Sequence, residues 1–235
     1  MGWTVLGRDL YICCVFGLRG AIFRLPKWLN ACIMRVLLYF VVFREQAMSE
    51  LDKILAYNES FVDAEQYAAY QTNKYPERKL AILSCMDTRI VELIYAALGV
   101  KNGDVKMIRN AGAVVAHPWG SVMRSLLVAV LELRVEEIMV IAHFDCGMRG
   151  LNAQSVLAAA QARGIPADRI ETLRHAGIDL DGWFTGFDNV EQSVRHTVSM
   201  IRHHPLMPSN VVVHGLVIHP STGKLTLIDK GQRDE

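Results

Sequence analysis

An excess of charge of one sign is missing from this sequence: 25 Lys and Arg stand against 24 Asp and Glu in 235 residues, leaving a net charge of +1. Without a basic cluster there is no electrostatic footprint for nucleic acid, because neutralising phosphates takes several Lys or Arg on one surface. DNA and RNA are excluded as partners. Cysteine is sparse too. Five residues, an odd number, in a chain long enough to build its own core neither imply nor need a disulfide framework, so a reducing compartment, the cytoplasm, is expected. Internal repeats and low-complexity linkers are lacking. No G-x-G-x-x-G follows a strand and no G-K-[ST] loop occurs, which removes the phosphate cradle that nucleotide binding needs. What remains, 51% apolar and 21% charged residues, is the profile of a soluble globular protein of one large domain or two small ones.

Residues 1–47 stand apart. They hold six basic side chains against two acidic ones, and Cys13, Cys14 and Cys32 among the five cysteines. Although rich in Leu, Val, Ile, Phe and Trp, the segment is interrupted by Arg19, Arg24, Lys27 and Arg35, and its charge-free runs fall short of the roughly 20 residues that span a bilayer. Three readings stay open: a membrane-surface or targeting segment, an accessory helical layer, or translated sequence ahead of a start at Met48. Membrane contact is expected only through this segment. Ser49-Glu50-Leu51-Asp52 fits a capping box with Leu51, Ile54 and Leu55 following at helical spacing, so a domain spanning 48–235 is expected to begin there.

From Lys79 onward short apolar runs alternate with amphipathic stretches, the pattern of βαβ units around an open, mostly parallel sheet flanked by helices. Strands are expected at Leu80–Leu83, Val105–Ile108, Ile138–Ala142, Val211–Ile218 and Leu225–Ile228, with helices near 90–98, 120–134, 152–163 and 189–203. In such a sheet the ligand site lies outside the carboxyl ends of the strands. Cys85-Met86-Asp87-Thr88-Arg89 follows the first strand and His143-Phe144-Asp145-Cys146-Gly147 the third. If residues 85–89 stay extended, Cys85, Asp87 and Arg89 share a side; if 143–146 turns into a helix, His143 lies beside Cys146. Two thiolates and an imidazole suit Zn²⁺, and three protein ligands leave a fourth position for water. Arg89 can hold the Asp87 carboxylate in a bidentate fork and keep it off the metal. A closed structural zinc with Asp87 as fourth ligand, and a non-catalytic zinc or redox-sensing protein, are the competing readings. Asp145 is expected as a solvated or capping carboxylate, and His203-His204 as solvated residues at a helix end.

Cys-x-Asp-x-Arg followed by His-x-x-Cys-Gly resembles the β-class carbonic anhydrases, with Arg109-Asn110-Ala111-Gly112, His214-Gly215 and Thr222-Gly223-Lys224-Leu225 adding to the likeness over about residues 48–229. The compact length resembles the shorter microbial branch. The resemblance implies one Zn²⁺ per subunit on Cys85, His143 and Cys146, a gating dyad of Asp87 and Arg89, and reversible hydration of CO₂ to bicarbonate and a proton by zinc-activated hydroxide. It also implies a homodimer or higher even oligomer. Hydrolysis of carbon disulfide or carbonyl sulfide by the same machinery is the alternative. Gly112 and Gly147 are further candidates, as backbone N–H donors to the reacting oxygens.

Overall fold

The computed structural model describes residues 48–232, and in addition the backbone of three short strands nearer the N-terminus. Those strands, β1 (Gly2–Leu6), β2 (Asp9–Cys13) and β3 (Phe23–Arg24), form an antiparallel sheet in the order β1-β2-β3. The targeting and membrane-surface readings of residues 1–47 otherwise lie outside the described residues. By compactness the chain divides into two units, Met1–Gln71 and Thr72–Glu235.

In the first unit, α1 (Glu50–Asp63) starts where the capping box requires. Ser49 Oγ accepts from the Asp52 N–H at 3.2 Å, and Asp52 Oδ2 accepts from the Ser49 N–H at 3.1 Å, so two of the otherwise orphaned donors of the first turn are satisfied. The apolar residues Leu51, Ile54 and Leu55 are all exposed. A short 3₁₀ turn, Gln66–Tyr70, follows.

The second unit is a five-stranded sheet: β4 (Leu80–Cys85), β5 (Val105–Asn110), β6 (Glu137–His143), β7 (Val212–Ile218) and β8 (Leu225–Asp229), in the order β5-β4-β6-β7-β8. β5, β4, β6 and β7 pair in parallel, as crossover connections demand, while β8 returns antiparallel to β7 across the short turn through Pro220–Gly223. The crossovers carry α2 (Leu93–Leu98), α3 (Ser121–Leu131), α4 (Ala153–Ala162), α5 (Ala167–His175), α6 (Leu180–Phe184) and α7 (Val190–Arg202). Among the described residues, no helix is long and apolar enough to cross a membrane.

β4 is buried at all six positions, which a strand sandwiched between two helical layers requires. One core gathers Leu83, Ile138 and Val140 with Met123 and Leu126 of α3 and Val194, Val198 and Ile201 of α7. The other gathers Leu80, Ile82, Ile141 and Ile218 with Ile90 and Ile94. Burying a Leu or Ile side chain stabilises by about 1.5–3 kcal/mol, so the paired cores hold β4 and β6 from both faces. Ser84 Oγ donates to the Ile141 carbonyl at 2.9 Å between them. Their carboxyl ends therefore make a firm platform.

Candidate metal centre

β4 ends at Cys85 and its parallel neighbour β6 ends at His143, so the two motifs open on one edge of the sheet. The local route differs from the expectation. The extended chain stops at Asp87, which caps a 3₁₀ turn over Thr88–Ile90; its Oδ1 accepts from the Arg89 N–H at 2.9 Å. This turn, and not strand alternation, swings Arg89 back over the carboxylate. The guanidinium then forks it, Nε to Oδ1 at 3.0 Å and Nη2 to Oδ2 at 2.9 Å. Nor is 143–146 the start of a helix, since α4 begins only at Ala153. The chain reverses instead through Asp145, whose φ is +54°, and the Arg149 N–H closes the next turn on the Cys146 carbonyl at 3.0 Å.

These turns bring Cys85, His143 and Cys146 together, all three buried, with their ligand atoms within 4.8 Å of one another. The two sulfurs are 3.8 Å apart, close to the separation of about 3.8 Å that two Zn–S bonds of about 2.3 Å enclose at a tetrahedral angle. His143 Nδ1 lies 2.8 Å from the Phe144 carbonyl, an oxygen that only accepts, so Nδ1 carries the proton. Nε2 is thereby left with a lone pair, and it is buried without a hydrogen-bond partner. An orphaned imidazole nitrogen facing two sulfurs, with its opposite N–H anchored on a carbonyl, is the pattern of a metal ligand with its outer support in place. Gly112 donates its N–H to Cys85 Sγ at 3.3 Å. That hydrogen is thus directed at the ligand sulfur and not at a substrate oxygen, which corrects the expectation for this glycine; its φ of +81° makes the approach possible.

The electrostatics concentrate negative charge at the cluster. The neighbouring Cys146 sulfur pulls the Cys85 thiol well below its ordinary range, and the Cys85 thiolate in turn pushes Cys146 up. Burial opposes protonation of His143, but Cys85, the Phe144 carbonyl and Asp87 outweigh it and favour positive charge at the ring. The Arg89 hydrogen bonds hold Asp87 down at about 2, so its carboxylate stays ionised, with Oδ2 3.7 Å from His143 Nε2.

Comparison with known proteins then decides the family: residues 80–225 match the carbonic anhydrase family. The chain belongs to the β-carbonic anhydrases. It is 56% identical over 184 residues to YtiB of Bacillus subtilis, which bears a provisional carbonic anhydrase name, covering 78% of this chain and 98% of that one. It superposes on the β-carbonic anhydrase isoform I of Trichomonas vaginalis with a TM-score of 0.72 at 36% identity, covering 79% of this chain and 100% of that one. A carbon disulfide hydrolase of Acidithiobacillus thiooxidans is 29% identical over 158 residues, 63% of this chain and 76% of its own.

Two residues of this β-carbonic anhydrase family member matter more than their motifs suggested. Arg109 reaches under the site and donates to the carbonyls of Cys85, Ile90 and Val91 at 3.2, 3.2 and 3.1 Å, pinning the turn that carries Asp87 and Arg89. Asn110 closes the next loop on itself, its side chain bonding both the N–H and the carbonyl of Val114, and so presents Gly112. The Arg-Asn-Ala-Gly motif is the signal that marked them. Asp145 is solvated as expected, 83% exposed, but caps no helix: Arg89 Nη1 donates to its Oδ2 at 2.7 Å. His204 departs from expectation as well. It is buried, donates from Nε2 to the Pro118 carbonyl at 3.0 Å, accepts the Leu206 N–H at 3.2 Å and packs edge-on against Trp119, so it staples the end of α7 to the approach of α3.

A cavity of about 200 Å³ reaches His143, Asp145 and Cys146, and a larger one of about 860 Å³ lies beside it, walled by Met86, Val114, Met148, Trp183 and Phe187.

Proposed function

We propose that the protein is a zinc-dependent carbonic anhydrase that interconverts CO₂ and bicarbonate, with Cys85, His143 and Cys146 as the metal ligands and Asp87 and Arg89 as the catalytic dyad. The observation that carries this reading is the coincidence of a three-ligand cluster with a carboxylate that stands outside the trio and is forked by an arginine. A purely structural zinc gives no reason for that fork. When bound, zinc supplies the Lewis acidity that makes hydroxide available near neutral pH. The chain does the rest. Asp87, ionised and held by Arg89, accepts a hydrogen bond from the attacking solvent and so orients its lone pair toward the carbon. Because it is acidified by Arg89, it acts as an acceptor and not as a proton store. Met86, Val114 and Phe187 offer the apolar walls that a linear, uncharged substrate needs, and the Gly147 N–H is the remaining backbone donor for the reacting oxygens. Cys85 and Cys146 as thiolates would offset the charge of a bound dication, which would acidify solvent less than one held by three imidazoles, so activity is expected to rise on the alkaline side of neutrality.

Hydrolysis of carbon disulfide is the second reading, favoured by the Acidithiobacillus relative named for it and by an adjoining cavity far larger than CO₂ requires. Two ligand thiols suit a reducing compartment, the cytoplasm, and the exposed apolar residues Leu51, Ile54 and Leu55 of α1 suit a chain that works as a homodimer or higher even oligomer. Stopped-flow CO₂ hydration on the zinc-loaded chain, run beside sulfide release from carbon disulfide, tests the reading. Acceleration of hydration that disappears in Cys146→Ser supports it; hydration at the buffer rate with rapid sulfide release favours the second substrate.

A further inference from the structure

Arg89 has two partners, and only one belongs to the dyad. Its planar guanidinium offers five N–H donors. Nε and Nη2 fork the Asp87 carboxylate at 3.0 and 2.9 Å, while from the other side Nη1 reaches Asp145 Oδ2 and Nη2 the Asp145 carbonyl, both at 2.7 Å. Four hydrogen bonds in one plane fix the rotation of the group. Arg89 itself sits on a three-residue turn and is 44% exposed, and among the described residues only Asp87 and Asp145 hydrogen-bond its tip. Asp145 aims both a backbone and a side-chain oxygen at one guanidinium because its φ is +54°, a region that Asp enters at some cost and most side chains avoid. The residue lies between His143 and Cys146 in the chain, so the clamp ties the loop after β4 to the loop after β6.

We propose that Asp145 is a positioning residue: from the loop between two metal ligands it holds Arg89 in register with Asp87, keeping the Asp87 carboxylate on the guanidinium and outside the ligand trio. The inference rests on the function proposed above for its consequence in turnover, but the clamp itself is a property of Arg89 and can be read separately.

Asp145→Gly removes the carboxylate while keeping the carbonyl and suiting the positive φ, and Asp145→Asn keeps an oxygen acceptor at the same place. If Asp145 served only the backbone turn, glycine would be neutral or mildly stabilising. The positioning role requires the opposite order. In the zinc-loaded protein, exchange of the Arg89 Nε–H with water, followed by ¹⁵N NMR and assigned by loss of the signal in Arg89→Lys, is expected to quicken about fivefold in Asp145→Gly, with CO₂ hydration falling by a similar factor, the size of an exposed charged pair. Asp145→Asn should recover most of both. Asp168→Asn, which removes an exposed carboxylate on α5 that lines neither cavity, should alter neither. Unchanged Nε–H exchange in Asp145→Gly overturns the proposal whatever happens to turnover. Faster exchange in a protein that fails to hydrate CO₂ upholds the clamp and refutes the assigned reaction instead.

Discussion

Replacing Gly112 by alanine tests the support of the metal cluster at its tightest point. A Cβ built there meets Met148 Cγ and Phe187 Cε1 at 3.1 Å and Met148 Cβ at 3.3 Å. At these distances both side chains must give by a few tenths of an ångström, and with them the cavity wall that they form beside the site. The crowding adds about 1–3 kcal/mol, and the φ of +81° adds about 1 kcal/mol or more for a residue with a Cβ. A total near 3 kcal/mol lowers Tm by about 6–12 °C in a unit of this size. The backbone shift that relieves the crowding also withdraws the N–H from Cys85 Sγ, now 3.3 Å away, so zinc affinity should drop about 10- to 100-fold, as for other outer supports of metal ligands. Gly147→Ala is the control: no atom lies within 4 Å of its Cβ, and a change within about 0.5 kcal/mol is expected. Calorimetric unfolding and competition with a chromophoric chelator measure the two effects. A Gly112→Ala protein that melts and holds zinc like its parent would refute the reasoning.

Asp87→Ala should abolish CO₂ hydration while metal analysis still finds one zinc per chain, because the ligand trio does not include Asp87; loss of zinc with turnover would instead make the aspartate a ligand. Zinc affinity should weaken as pH falls, since both sulfurs must be thiolates and the imidazole neutral. With Cys85 already acidified and Cys146 pushed up, loading near neutrality displaces about one thiol proton, plus one from His143 on the acid side, where its raised pKa favours the protonated ring. The slope of log Kd against pH should therefore steepen from about one to about two on acidification, and a flat dependence would contradict the assignment. Arg109→Lys replaces a fork serving three carbonyls by a point donor. Losing hydrogen bonds to two half-buried carbonyls and one exposed one costs about 0.5–1.5 kcal/mol, seen as a Tm lower by a few degrees; an unchanged Tm would show that the carbonyls find other donors.

How much of this was legible follows from which forces act locally. The five strands were readable because β4 and β6 are near-continuous apolar runs that only a doubly covered parallel sheet accommodates. The α1 start was readable because Ser49 and Asp52 form their bonds within one turn. α5 and α6 escaped notice. Residues 167–175 carry one buried side chain, Ile170, in an otherwise charged helix, and a helix that buries so little leaves no apolar period in the sequence. The burial of His204 is illegible for a related reason: it depends on Pro118 and Trp119, far away in the chain.

The three ligand residues could be named from the sequence although the path that joins them could not. Their side-chain chemistry narrows their use to a soft metal site, and the parallel sheet delivers the ends of β4 and β6 to one edge whatever the turns beyond them do. The supporting contacts have no such redundancy. Arg109 acts through carbonyl oxygens, as donor to Cys85, Ile90 and Val91, and Asp145 grips Arg89 with its carbonyl as well as its carboxylate. Where a carbonyl points is set by φ and ψ at single residues, such as the left-handed Asp145, and composition carries almost no information about those angles. Residue types that name a chemistry are thus visible one at a time, whereas the groups that hold that chemistry in register become visible only once the backbone is drawn.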